Sequence, residues 1–202
     1  MSEAGRKAQT RERVLEIAAR QFRERGYAGV SLRSIAGEAG IKAGSLYYHF
    51  DSKEDLVAAV LDRGIEVVLE AVRVSVEQLP RDVSTGELLG VAIREHLRTF
   101  HAYGDFTSAN VRIYGQVPDA VRQANLPIRK EYDEFWQRLL QQAVSRGGLR
   151  GGLDLDATRR LLIGAMNATL EWFDPHRGNI DDLASQYADI VLHGILAEAP
   201  AA

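Results

Sequence analysis

The chain contains no cysteine, only five prolines in 202 residues, and no run of about 18 uncharged apolar residues. Each absence removes a class of explanation. Without thiols there are no disulfides, zinc–thiolate sites or cysteine nucleophiles. Without a long apolar run no membrane span or membrane partner is expected. The polar start, Met1 to Thr10, also lacks the apolar core and small-residue cleavage site of a secretory leader, so the expected location is the cytoplasm. The five histidines (His49, His96, His101, His176, His193) form no His-Glu-x-x-His set, so no metal site is expected, and no cofactor. Gly147 to Gly152 has phosphate-loop glycine spacing but continues Leu153-Asp154, without the lysine and hydroxyl that cradle a nucleotide. No carboxylate pair stands out, and an enzyme is not expected.

What remains is the composition of a folded helical chain with an uneven charge. Residues 1–50 carry nine Lys/Arg against five acids, whereas the rest carries sixteen against twenty-three. A basic head on an acidic body fits a polyanion-binding end, or else a fluctuation among solvated charges.

Apolar residues recur at three- and four-residue spacing along almost the whole length, which predicts an all-α protein. The first helix spans 11–25, with Val14, Leu15, Ile17, Ala18 and Phe22 on one face and Gly26 as its cap. Ser31 caps a second, short helix over 32–39, and a third runs over 43–49. Ser52 and Asp55 resemble a capping box opening a long fourth helix that ends before Pro80. Further helices are expected at 84–103, 105–116, 119–147, 154–173 and 180–197, with an alanine-rich tail at 197–202.

Two short helices joined across Gly40 make a helix-turn-helix, whose second helix can lie in the DNA major groove. Gly40 permits the turn, and Gly44 leaves room for a phosphate. Ser45, Tyr47, Tyr48 and His49 place hydroxyls and an imidazole on the second helix. Leu46 and Phe50 point back to Val14, Ala18 and Phe22. So short a helix cannot bury every side, and at least one tyrosine must face outward.

These residues carry a resemblance. Ser31-Leu32-Arg33-Ser34-Ile35-Ala36, Ala39-Gly40-Ile41, Gly44-Ser45-Leu46-Tyr47-Tyr48-His49-Phe50 and Ser52-Lys53-Glu54-Asp55-Leu56, with Phe22 and Gly26-Tyr27, resemble the DNA-binding signature of the tetracycline-repressor (TetR) family. The match covers about residues 10–60. It implies a DNA-binding domain at 1–52 and a helical effector-binding and dimerisation domain at 53–202. It implies a homodimeric repressor released from a palindromic, double-stranded operator by a small ligand. By that resemblance Ser31, Tyr47, His49 and Lys53 contact phosphates, with Arg33 and Gly44 also in the DNA-binding set, and Lys42, Ala43, Ser45 and Tyr48 face or adjoin base edges. Lys42 stands where the family commonly has a small capping residue, and Ala43 where a longer or basic one is frequent.

In the body, aromatics cluster. Phe100, Tyr103, Phe106, Trp136 and Trp172 are read as either core packing or the lining of a ligand cavity. Arg112, Asn167 and Glu171 interrupt apolar segments, where they are satisfied helix–helix partners or ligand contacts. The segment from Leu162 to Phe173 with Pro175, and Tyr132…Phe135-Trp136 upstream, is similar to a branch of the family that regulates fatty-acid and sterol-ring catabolism and answers to acyl-CoA thioesters. That similarity implies an acyl chain among the aromatics and CoA phosphates near Arg112, Arg129, Lys130 or Arg177. A lipophilic drug-like effector is the alternative, and a protein–protein adaptor without DNA binding the alternative from another class. The last two helices, with Gly164 and Gly194 on their stripes, are the expected dimer face, an intramolecular core being the other reading.

Overall fold

The computed structural model of the chain describes residues 2–195, with residue 3 described by its backbone alone. The alanine-rich tail and the end of the last expected helix lie outside the described residues. Among the described residues there are nine helices and no strand: α1 (Glu3–Arg25), α2 (Leu32–Glu38), α3 (Ala43–Leu46), α4 (Lys53–Glu77), α5 (Thr85–Ala102), α6 (Gly104–Ile113), α7 (Asp119–Ser145), α8 (Leu155–Trp172) and α9 (Ile180–Ile195). The all-α expectation holds.

Two elements differ from it. The first helix begins at Glu3 rather than Arg11, because the hydroxyl of Ser2 accepts the N–H of Gly5 (3.2 Å) and starts the helix two turns earlier. Those turns carry no large apolar residue, so apolar spacing could not reveal them. The third helix is regular only to Leu46 and then tightens into a turn, with His49 N–H on the Leu46 carbonyl at 2.9 Å. The long fourth helix stops at Glu77, shortly before Pro80. Pro127 lies inside α7 without ending it.

The chain packs as two compact units, one of residues up to 66 with 103–129, the other of 67–102 with 130 onward. Leu56, Val57, Val60 and Leu61 of α4, and Phe106, Ala109 and Ile113 of α6, share one buried core with Val14, Ala18 and Phe22 of α1. Each fully buried Leu, Ile or Phe contributes about 1.5–3 kcal/mol relative to exposure, so this core holds α4 and α6 to the first three helices. Gly64 makes the α4–α6 crossing close. A Cβ there would stand 2.8 Å from the Phe106 carbonyl oxygen, so this glycine serves packing rather than bending.

In the second unit α5 packs on α9 and α8. Leu89, Ala92, Ile93 and Leu97 of α5 are buried with Leu140 of α7, Met166 of α8 and Ala184 of α9. Arg159 of α8 is 8% exposed and is held by Asp133 and Asp156. The glycine-rich turn after α7 tucks Gly148 under Thr85, where a Cβ would come within 2.1 Å of the threonine Oγ1. Asp154 caps α8, accepting from Asp156 and Ala157 N–H (2.9 and 3.1 Å).

Candidate DNA interface and effector site

The helix-turn-helix is fixed from both sides. Ser31 Oγ accepts Ser34 N–H at 3.1 Å while Ser34 Oγ accepts Ser31 N–H at 3.2 Å, a complete capping box at the start of α2. Gln21, 2% exposed, accepts from the Ser34 hydroxyl (2.9 Å) and donates to Glu38, which Arg20 also engages. Arg13 donates to the Ala39 carbonyl at 2.6 Å, closing the C-terminus of α2. Gly40 turns the chain at φ +65°, a conformation that costs a residue with a Cβ roughly 1–2 kcal/mol.

The turn sets α3 so that Leu46 and Phe50 are buried (0% and 1% exposed) while Tyr47 and Tyr48 stand at 57% and 79%. Lys42, Ala43 and Gly44 are exposed and Ser45 is half-buried, with open space around Gly44. Lys42 occupies the N-cap position and makes no side-chain cap. Arg33 and Lys42 form no ion pair among the described residues, so their charge is uncommitted.

One expected phosphate contact is already engaged. Lys53 Nζ donates to the Tyr27 carbonyl at 2.6 Å and lies 4.0 Å from the centre of the Tyr27 ring, and burial lowers its pKa. It is a tethered cation, not a protruding one. His49 is half-buried, and its Nδ1 has no hydrogen-bond partner. Burial, followed by Lys7 and Arg11, lowers its pKa. It can offer a neutral N–H to DNA rather than a charge.

The residues expected to meet an effector fall in both units. Phe106 is spent on the core against α1. Arg112 is exposed and reaches only the Arg23 carbonyl at 3.4 Å. Tyr103, 44% exposed, is the N-cap of α6. Phe106 and Arg112 lie on α6, whose apolar side packs on α1, and Tyr103 directly precedes that helix. Arg129 is likewise committed, stacking 3.5 Å from the Tyr114 ring centre and donating to Asn125 (2.6 Å) and Asn110. Glu171 is exposed, not buried, and Lys130 and Arg177 are exposed cations paired with Glu134 and Asp174 at 3.7 Å each.

Phe100, Trp136 and Asn167 belong to the second unit, together with Trp172, which is 56% exposed and stacks on Tyr187 (6.3 Å). Around Trp136 (0% exposed) the interior carries polar groups among rings. His96, 1% exposed, pairs its Nδ1 with the Tyr132 hydroxyl at 2.5 Å and stacks on Phe100 at 5.2 Å. Burial holds His96 down to about 3, partly offset by Asn167, and raises the Tyr132 phenol. His101 Nε2 meets the Thr169 hydroxyl at 2.8 Å and packs its ring edge-on to Phe173. Metal-ligand spacing does not single out His96. Its signal was positional, since it falls on the apolar face of α5, three residues after Ile93 and four before Phe100.

On the outer side of α8 and α9, Leu161, Leu162, Ala165, Tyr187, Ile190 and Val191 line an apolar groove of about 570 Å³. Leu161 and Ile190 are 68% and 71% exposed, and Gly164 and Gly194 have open space above them. The part of the stripes that carries Leu161 and Ile190 is therefore not an intramolecular core, whereas Leu162 (2%) and Ile195 (7%) are buried.

A capped two-helix reader with an exposed second helix, joined to a helical body, defines a DNA-binding regulator. The chain belongs to the TetR family: residues 14–60 match the family of bacterial regulatory proteins of that name, and 82–195 match the tetracyclin repressor-like C-terminal domain. The HTH-type transcriptional repressor KstR2 of Rhodococcus jostii is 31% identical over 195 residues, 94% of this chain and 92% of that one. The structure of the ketosteroid transcriptional regulator KstR2 of Mycobacterium tuberculosis is 29% identical with a TM-score of 0.75, covering 93% of this chain and 95% of that one. The fold is shared with AibR, solved in complex with isovaleryl coenzyme A and operator DNA, at 23% identity and a TM-score of 0.76, covering 92% and 97%. Among the described residues no helix is long and apolar enough to cross a membrane.

Proposed function

We propose that the protein is a cytoplasmic, non-catalytic, homodimeric repressor. It binds a palindromic operator and is released from it by a small acyl-CoA-type effector. The observation that carries the DNA reading is the partition of α3, whose Leu46 and Phe50 anchor it while Tyr47 and Tyr48 are offered to solvent. Ser31, Tyr47, His49 and Lys53 contact phosphates and set register without reading sequence. Arg33 adds charge. Lys42 and Ser45 read base edges at about 1–3 kcal/mol per good bidentate contact, with Gly44 admitting the backbone and Ala43 and Tyr48 adjoining the bases. One short helix reads few bases, so two copies joined through α8 and α9 supply two half-sites spaced by whole helical turns.

The effector class is supported by KstR2 and AibR as relatives, and by the ring-lined interior holding Phe100, Trp136 and Asn167. Lys130 and Arg177 are the exposed cations left for CoA phosphates. To shift the molecule from about 1:99 to 99:1 in favour of the DNA-incompetent state, the effector must prefer that state by roughly 5.5 kcal/mol.

The test is a mobility-shift titration on a palindromic fragment from beside the gene. Affinity should fall steeply with salt, by one power for each phosphate neutralised, and acyl-CoA thioesters should release the DNA. Salt-insensitive binding would remove the DNA reading. Release by unrelated lipophiles but by no acyl-CoA would replace the effector class.

A further inference from the structure

The first two turns of α1 project beyond the core. Residues 4–9 are all exposed, so burial does not account for them. They carry Arg6 and Lys7, and the turn after them carries Arg11. At steps of four, three and four residues, Lys7 and Arg11 continue the helix face of Val14, Ala18 and Phe22. Those three share one buried core with Leu46 and Phe50 of the recognition segment. Where that core ends, the same face goes on as two cations. Arg11 places its guanidinium carbon 4.9 Å from the centre of the Phe50 ring, which holds the cation beside the residue that follows His49. The charges of Lys7 and Arg11 reach the His49 imidazole, where they add to burial in keeping it neutral. Arg6, Lys7 and Arg11 are exposed and form no ion pair among the described residues, whereas Glu12 is paired with Arg63 at 3.7 Å. Three like charges left without an acid beside the exposed Tyr47 and Tyr48 suit a polyanion.

We infer that Lys7 and Arg11, with Arg6 beside them, form a second DNA contact, which grips the sugar–phosphate backbone next to the base pairs met by α3. This rests on the DNA reading given above and adds to it an element outside the helix-turn-helix. Lys7 is a point charge on a flexible stem, and the Arg11 guanidinium is held over the Phe50 ring. Both are fitted to phosphate charge rather than to base edges. His49 is neutral at this edge, so the positive charge that meets the backbone there comes from α1.

The test is the salt dependence of binding by the full chain to a palindromic fragment from beside the gene. In Lys7→Gln with Arg11→Gln each subunit loses two cations. The slope of log affinity against log salt should then fall by roughly 3–4 for a dimer, with affinity at low salt down about tenfold or more. Lys7→Gln alone, which touches no core residue, should show about half of that change in slope. Lys7→Arg with Arg11→Lys keeps the charges and should keep the wild-type slope. Arg138→Gln removes an exposed cation of the second unit and should also leave it unchanged. Hydroxyl-radical footprints of the charge-removing double variant should lose protected sugars at one edge of each half-site and keep the remainder. An unchanged slope in that variant, or a loss of affinity that varies with the base sequence at that edge, overturns the α1 contact while the DNA reading stands. Absence of salt-dependent binding by the wild-type chain overturns both.

Discussion

Tyr48 projects from the turn that follows α3 with four-fifths of its surface exposed, one residue from Tyr47 and two from the fully buried Leu46. Tyr48→Ala is therefore expected to change stability by no more than about 0.5 kcal/mol while weakening operator binding several-fold. Thermal melts beside fluorescence anisotropy with labelled operator would check it. The histidines make a second residue-scale prediction. His96, His49 and His101 all lie below the ordinary imidazole value of 6.5, His96 down to about 3, because burial disfavours the cation. Unfolded chains accept those protons more readily, so the stability linked to these groups is complete above about pH 6.5 and is lost as pH falls towards the folded values. Asp62, whose carboxyl is raised by burial, acts in the opposite sense. Urea midpoints should decline between about pH 6.5 and 5, where most carboxylates remain ionised, and His96→Gln should flatten that slope. A level wild-type profile would contradict the burial of the neutral ring. Of these residues, Tyr47 and Tyr48 were legible because a short helix cannot hide every side. The tether on Lys53 was not, because its acceptor is a backbone carbonyl 26 residues away.

At the scale of elements, helix existence followed from apolar spacing, whereas helix partnership did not. The segment of α6 reads as amphipathic and aromatic, and nothing in that pattern says which helix covers it. It is α1 that does so. Gly64 records the contact in one atom. Gly64→Ala is expected to cost about 1–3 kcal/mol, because the new methyl meets a backbone carbonyl that cannot swing away. Chemical denaturation measures it, and an unchanged midpoint would mean that α4 and α6 are not so closely crossed. The capping box at the start of α2 predicts about 1 kcal/mol lost in Ser31→Ala, with operator affinity falling further because the hydroxyl also faces the phosphate in the proposed complex.

At the scale of the whole molecule, the exposed apolar stripe on α8 and α9 ties assembly to function. Ile190 and Leu161 cover open groove rather than core, so Leu161→Glu with Ile190→Glu should leave each chain folded but sediment as a single subunit. Operator affinity should then drop by orders of magnitude, since half-sites bound singly lose the gain of the second contact. A folded dimer in that variant would place the interface elsewhere. The stripe was legible from spacing, but its exposure was not, because periodicity marks a face and not what lies against it. The reading end differs from all these packed regions in one respect. Lys42, Ala43 and Gly44 are exposed, and Gly44 has nothing within reach of an added Cβ. Letters written there can be exchanged without disturbing the framework that presents them, so paralogues could acquire new target promoters by altering a few solvent-facing positions while keeping the same fold and sensor.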